Sequence, residues 1–179
     1  KIILVSNPTT EGISRIHNAF LASDQRYRHV PCPHCGAYQV LKFGGKDDDY
    51  GLKWTDTHSE VWYVCEHCHA KIYEYQKIEM DKLGEYRAEA PFHGIAGFHL
   101  NPLLCAWHPW ADFRKEFLAC EGNPYKLMVF VNQWLGEVWK ENADSKLDAD
   151  ILYSRRENYS AEVPGGVMVL TAAADVQDY

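Results

Sequence analysis

Val30-Pro31-Cys32-Pro33-His34-Cys35-Gly36 and, further along, Val64-Cys65-Glu66-His67-Cys68 decide how this chain is read. The two Cys-x-x-Cys pairs stand 29 residues apart, which is the spacing of a zinc ribbon. A two-residue gap lets two thiolates from one tight turn take adjacent corners of a tetrahedron, with metal–sulfur distances near ~2.3 Å. Gly36 suits such a turn, because the backbone around a knuckle needs a residue free of Cβ. Cys32, Cys35, Cys65 and Cys68 are therefore the candidate ligands of one Zn²⁺ ion. Four thiolates leave no open position, so the ion would be structural and not catalytic. A redox Cys-x-x-Cys explains one pair and not the second. His34, His67 and His69 offer a mixed Cys/His site that four cysteines make unnecessary. Cys105 and Cys120 are left over, and core packing is their default.

The stretch around the knuckles, Arg28 to Tyr73, carries short strand-like runs at Tyr38–Phe43 and Val61–Val64, each beside a cysteine pair. An acidic, glycine-containing loop, Gly44–Gly51, lies between them. Upstream, Ile2–Val5 is a continuous apolar run bounded by Ser6-Asn7-Pro8, which suits a buried strand. Ile13, Ile16, Phe20 and Leu21 then recur at helical spacing, with Thr10 as N-cap. Downstream, the pattern predicts a helix over Tyr75–Leu83 ended by Gly84, then the small, apolar and aromatic segment Pro91–Leu104. Two further helices follow: one from Pro109 with Trp110, Phe113 and Phe117 on a face, one from Asn123-Pro124 with Leu127, Phe130, Val131 and Trp134. Ser145–Tyr159 reads as a polar linker. Pro164-Gly165-Gly166 breaks the chain before a strand over Val167–Ala174.

The bulk numbers agree with a folded protein: of 179 residues, 46% are hydrophobic and 13% aromatic, enough to bury a sizeable core. A formal charge of −7 argues against a surface that grips nucleic acid all over, so any DNA contact is local. On the ribbon, Arg26, Arg28, Lys42, Lys46 and Lys53 are offset by Asp24, Asp47, Asp48, Asp49 and Asp56. Neither end shows a signal-peptide pattern and no apolar run approaches the ~20 residues that cross a bilayer, so the expected location is the cytoplasm, with no membrane partner. The sequon at Asn158-Tyr159-Ser160 is then uninformative. The chain opens without Met on Ile2–Val5 and stops just after an apolar run, and both ends read as cuts through larger domains.

Several motifs carry less than they first suggest. Gly44-Gly45-Lys46 lacks the glycine spacing of a phosphate loop, and no Walker A motif occurs in the chain. Asp47-Asp48-Asp49 reads as a solvated turn, and the aromatic helix faces read as core. Asp175 stands at the end of the expected strand Val167–Ala174, where a carboxylate either holds a divalent ion or caps the next turn.

Taken in order, Val5-Ser6-Asn7-Pro8-Thr9-Thr10-Glu11-Gly12-Ile13-Ser14-Arg15-Ile16, the first knuckle, Ala96-Gly97-Phe98-His99-Leu100-Asn101, Phe130-Val131-Asn132-Gln133-Trp134-Leu135-Gly136-Glu137 and Leu170-Thr171-Ala172-Ala173-Ala174-Asp175-Val176-Gln177 resemble the large terminase subunit of lambda-type tailed phages. That resemblance implies a protein that packages viral DNA with an ATPase motor and cuts concatemers with a metal-dependent nuclease. The implied fold class is α+β: the last strand and helix of an α/β ATPase domain (1–27), an inserted zinc ribbon (28–74), a helical connector completing the motor (75–144), a linker (145–166) and the first strand of an RNase H-like nuclease (167–179). It also implies that Ser6, Thr9 and Thr10 belong to a loop coupling ATP hydrolysis to DNA movement. Asp175 is implied as the first nuclease carboxylate, binding Mg²⁺ or Mn²⁺, with Asp178 a weaker candidate. Implied partners are ATP, double-stranded DNA, the small terminase subunit and the portal, in an oligomer inside the bacterial host. The Walker residues and the remaining nuclease acids are missing, so neither reaction is expected of these residues alone. The alternatives are a stand-alone zinc ribbon binding nucleic acid or protein, and a ribbon in which zinc only replaces a small hydrophobic core.

Overall fold

The computed structural model describes residues 2–44, 48–55 and 60–140, with Gly166, Met168 and Val169 beyond them. Helix and sheet are mixed, giving an α+β chain, and it divides into two compact units, Lys1–Glu141 and Asn142–Tyr179. Two three-stranded antiparallel sheets organise the first unit. In one, β1 (Arg26–Pro31) is flanked by β2 (Tyr38–Gln39) and by β6 (Glu85–Ala88), with Val30 opposite Gln39 and His29 opposite Glu85. In the other, β4 (Val61–Val64) lies between β3 (Gly51–Trp54) and β5 (Lys71–Ile72). Strand alternation puts Leu52, Tyr63 and Ile72 side by side on the inner face, all buried. Lys53, Trp62 and Lys71 take the other face, where the Lys71 ammonium sits 3.9 Å from the Trp62 ring centre.

The strand expected over Tyr38–Phe43 is only two residues long. Leu41 and Phe43 leave the ladder but are buried, so their apolar character reports core contact and not pairing. The ends of the acidic loop cross closely: the Leu52 amide donates to the Phe43 carbonyl at 2.8 Å. A Cβ on Gly51 would stand 2.7 Å from that carbonyl oxygen, and Gly44 and Gly51 both hold positive φ, so the crossing requires glycine on both sides.

Four α-helices are described: α1 (Arg15–Leu21), α2 (Lys77–Leu83), α3 (Trp110–Leu118) and α4 (Pro124–Val129). The expected helix over Tyr75–Leu83 is α2 preceded by a 3-10 turn, Glu74–Gln76. Helix α4 starts on Pro124, with the Asn123 side chain accepting from the Lys126 amide, and runs into a π turn, Phe130–Trp134. The aromatic faces pack as core. Phe43 reaches from the two-sheet region into them, with ring centres 5.0 Å from Phe117 and 5.1 Å from Phe130, while Tyr63 lies 6.1 Å from Trp110. Each such buried ring contributes roughly 1.5–3 kcal/mol of transfer free energy.

Polar contacts tie the sheets to the rest. The buried Asp24 carboxylate accepts from the Arg26 guanidinium at 2.7 Å and from the Gly97 amide at 3.1 Å. The hydrogen bond from Arg26 holds its carboxyl below the usual value. Arg26 exchanges backbone hydrogen bonds with Gly97 and His99, which docks the start of β1 on the segment after β6. Buried Lys77 donates to Glu74 and to the His108 carbonyl, both at 2.9 Å, and both Glu74 oxygens accept from the Trp110 amide at the start of α3.

Two expectations fail here and one element goes unannounced. Ile2–Val5 forms no strand, and its side chains are 64% to 90% exposed, because no other described segment offers its backbone a ladder. Thr10 does not cap α1: Gly12, at φ +83°, turns the chain and the helix starts after Ser14, leaving Ile13 exposed outside it. The strand β6 was not foreseen, since Glu85-Tyr86-Arg87-Ala88 has neither length nor apolar alternation. The linker Ser145–Tyr159 and the strand Val167–Ala174 lie outside the described residues, apart from Met168 and Val169, which are exposed and in no regular element. Among the described residues no helix is long and apolar enough to cross a membrane.

The fully buried Tyr63 hydroxyl accepts from the Lys42 amide at 3.1 Å, which pins the strand-free stretch before Phe43 over the second sheet. Tyr63→Phe leaves that amide without its acceptor, and its expected cost is about 1 kcal/mol in chemical denaturation. An unchanged midpoint would show that water replaces the hydroxyl there.

Candidate metal centre

Each cysteine pair sits in a knuckle at the end of a strand, Cys32 after β1 and Cys65 after β4. The two knuckles make the same hydrogen bonds. The Cys32 amide donates to the Ala37 carbonyl and the Gly36 amide to the Cys32 carbonyl, both at 2.9 Å; Cys65 with Ala70, and His69 with Cys65, repeat this at 3.1 Å. The His34 amide points at Cys32 Sγ and the His67 amide at Cys65 Sγ, each at 3.4 Å. The residue after the second cysteine takes positive φ in both, Gly36 at 72° and His69 at 54°. Only one of these two left-handed positions is marked by glycine.

The knuckles bring the four sulfurs together. Cys32, Cys35, Cys65 and Cys68 are all within 4.8 Å of one another by their sulfur atoms, the first and third buried and the other two exposed. Cys32 Sγ and Cys68 Sγ are 3.8 Å apart. That is far beyond a disulfide bond, and it matches the edge of about 3.8 Å expected for a tetrahedron of ~2.3 Å metal–sulfur bonds. Burial pushes the Cys32 thiol up to about 12, against the amides of Cys35 and His34. The amide of Ala37 lowers the Cys35 thiol. Amides aimed at sulfur favour thiolates while desolvation resists uncompensated charge, and a divalent cation among the four resolves that conflict. The donor set therefore fits a tetrahedral thiophilic ion.

The neighbouring histidines are engaged elsewhere. His34 Nε2 lies 2.8 Å from the Lys71 carbonyl, and His67 Nε2 lies 3.5 Å from Glu66. Gln39 was not anticipated as a site residue. It is buried, and its Oε1 accepts from the Glu66 amide at 3.1 Å, so a side chain from the first sheet holds the second knuckle. The signal in the sequence was a polar residue set among Tyr38, Val40 and Leu41.

The other candidate residues are not gathered at this centre. Ser6 is exposed and its hydroxyl donates to the Asn7 carbonyl at 3.0 Å. The Thr9 amide donates to Ser14 Oγ at 3.0 Å, and Thr10 forms a parallel bridge with Trp139. Asn7 lines a cleft with His108, Phe113, Gln133 and Trp134, so the Ser6–Thr10 loop lies against the helical part. Asp175 and Asp178 lie outside the described residues. For the knuckles, Gly36→Ala places a Cβ in the left-handed region and should lower stability by about 1 kcal/mol in denaturant melts; a variant as stable as the parent would mean that this turn relaxes at no cost.

Comparison with known proteins places the chain in a family. Residues 1–86 match the family model described as "Phage terminase large subunit gpA, ATPase domain", and residues 95–179 match "Terminase large subunit gpA, endonuclease domain". The chain is 34% identical to the terminase large subunit of Escherichia phage lambda over 99% of its own length and 31% of that protein's. It is 33% identical to the terminase large subunit of Enterobacteria phage P21, again over 99% of its length and 30% of the relative's. It thus spans about a third of the length of these curated relatives. No solved structure matches it. Two models of one protein match in order along the chain, and the likeness to both relatives runs nearly end to end: the chain belongs to the lambda-type terminase large-subunit family.

Proposed function

We propose that this chain is the joint of a DNA-packaging terminase, the part in which an ATP-driven motor passes into a metal-dependent nuclease. The observation that carries the reading is the order of the two family matches, ATPase then endonuclease, with the cysteine cluster inside the first. Residues 1–27 are the end of the motor, 28–74 a zinc ribbon, 75–144 a helical connector completing the motor, 145–166 a linker, and 167–179 the first strand of an RNase H-like nuclease. The limit of the first compact unit at Glu141 supports the length of that connector. A stand-alone ribbon module is disfavoured, since the family matches extend well beyond the knuckles on both sides.

Cys32, Cys35, Cys65 and Cys68 hold Zn²⁺. When bound, the ion cross-links two small sheets and neutralises the thiolates; with four protein ligands it takes no part in chemistry. Ser6, Thr9 and Thr10 form the loop that couples ATP hydrolysis to DNA movement. Asp175 is the first nuclease carboxylate, a ligand for Mg²⁺ or Mn²⁺ in hydrolysis of the DNA backbone. The partners are double-stranded DNA, the small terminase subunit and the portal of the viral head. The protein works as an oligomer in the cytoplasm of the infected or lysogenic bacterium.

Elemental analysis of the purified chain should find one zinc per molecule. Cys65→Ser should abolish it together with cooperative melting of the ribbon, because the binding energy of such a site is also folding energy. Unchanged zinc content in that variant would sink the four-cysteine assignment. The chain alone should show neither ATP nor DNA hydrolysis, since these residues include neither the Walker lysine and carboxylate nor the remaining nuclease acids. In the full-length parent, Asp175→Asn should remove DNA cleavage and leave ATP hydrolysis intact; cleavage that survives this change refutes the assigned role.

A further inference from the structure

The two knuckles of the metal centre repeat one another's hydrogen bonds except at one position. In each, the amide of the first cysteine donates across the turn, to Ala37 or to Ala70, and the amide two residues on points at the first sulfur. The residue directly after the first cysteine differs. In the first knuckle it is Pro33, which has no amide hydrogen to place. In the second it is Glu66, whose amide donates to Gln39 Oε1 at 3.1 Å. A turn that accepts proline in one copy thus has, in the other, a donor that needs an acceptor, and the acceptor comes from outside the turn.

Gln39 ends β2 and pairs with Val30 of β1, the strand that leads into Cys32. It therefore belongs to the half of the site that carries the first cysteine pair, while its side chain holds the second. That side chain is buried, and its Nε2 makes no hydrogen bond among the described residues. A buried carboxamide with its nitrogen unpaired carries a desolvation cost that a leucine in the same place would not. Core packing alone does not account for glutamine here, whereas the Glu66 amide does. The same amide fixes which way round the carboxamide lies, since only the oxygen accepts.

We propose that Gln39 is a positioning residue of the metal centre: by holding the Glu66 amide it sets the second cysteine pair against the first independently of the ion, and so raises the affinity for Zn²⁺. The inference rests on the four-cysteine zinc reading given above and adds the residue that joins the two halves of that site. Groups behind the ligands that orient them typically contribute 10- to 100-fold in metal affinity.

The test reads Zn²⁺ affinity of the chain in competition with a chelator. Gln39→Ala strands the Glu66 amide and should weaken binding by about 10- to 100-fold. Adding Glu66→Pro removes that amide, as Pro33 does in the first knuckle, and puts the proline ring carbon where the amide hydrogen pointed, toward the space Gln39 vacated. The double variant should regain most of the lost affinity. The Lys42–Glu66 pair that disappears with it, 3.5 Å long and half exposed on the lysine side, contributes little. Affinity unchanged by Gln39→Ala, or a double variant no tighter than the single one, overturns the inference; the second result would make Gln39 a core side chain only. Should Gln39→Ala fail to fold, the double variant decides: it folds and binds zinc if the inference holds, and its failure as well overturns it. A parent chain that takes up no zinc refutes the four-cysteine reading and the inference with it, whereas normal zinc in the parent with no recovery in the double variant refutes the inference alone.

Discussion

Two three-stranded sheets of two- to six-residue strands cannot each sustain a core, and what allows them to exist in this chain is the convergence of Cys32 and Cys35 from one sheet with Cys65 and Cys68 from the other. The knuckles are built so that backbone amides already point at sulfur, which lowers the cost of keeping negative charge in a half-buried place. Gln39 extends the same constraint: its carbonyl oxygen reaches from β2 to the Glu66 amide, so the two sheets are joined by a hydrogen bond as well as by the cluster.

From there the constraint propagates into the helices by two routes of different chemistry. Phe43 and Trp54 carry the apolar route, entering the cluster of Phe117 and Phe130. Glu74 and Lys77 carry the polar one, where a carboxylate receives the first amide of α3 and a buried ammonium is satisfied by that carboxylate and by the His108 carbonyl. A buried charge is tolerated only when paired and hydrogen-bonded, and Lys77 meets both conditions. The segment matched to the endonuclease family therefore begins its course folded onto the part matched to the ATPase.

What the sequence disclosed and what it concealed follow from range. The knuckles were legible because their requirement is local: two cysteines in one turn, with the glycine at position 36 reporting the left-handed residue. The second left-handed residue was concealed because His69 fills it without any compositional mark. Helices α3 and α4 were legible from aromatic periodicity and from Asn123-Pro124, a cap and a first-turn proline. Strand β6 was concealed because its partner is β1, more than fifty residues away, and nothing in Glu85-Tyr86-Arg87-Ala88 names that partner. Ile2–Val5 misled for the opposite reason: its residues fit a buried strand, but burial is a property of neighbours. The link between Thr9 and Trp139 is pure backbone, so no residue type could announce it.

The glycine crossing at Gly44 and Gly51 has a consequence for how this region can vary. Because the neck is closed by the Phe43–Leu52 hydrogen bond and by the absence of side chains where the two strands of backbone pass, whatever lies beyond it hangs from a fixed point. Doubling the length of such a closed loop adds only about 0.6 kcal/mol of closure entropy. The neck thus works as an evolutionary socket: added length beyond it costs little, whereas either glycine replaced by a larger residue would open the socket itself.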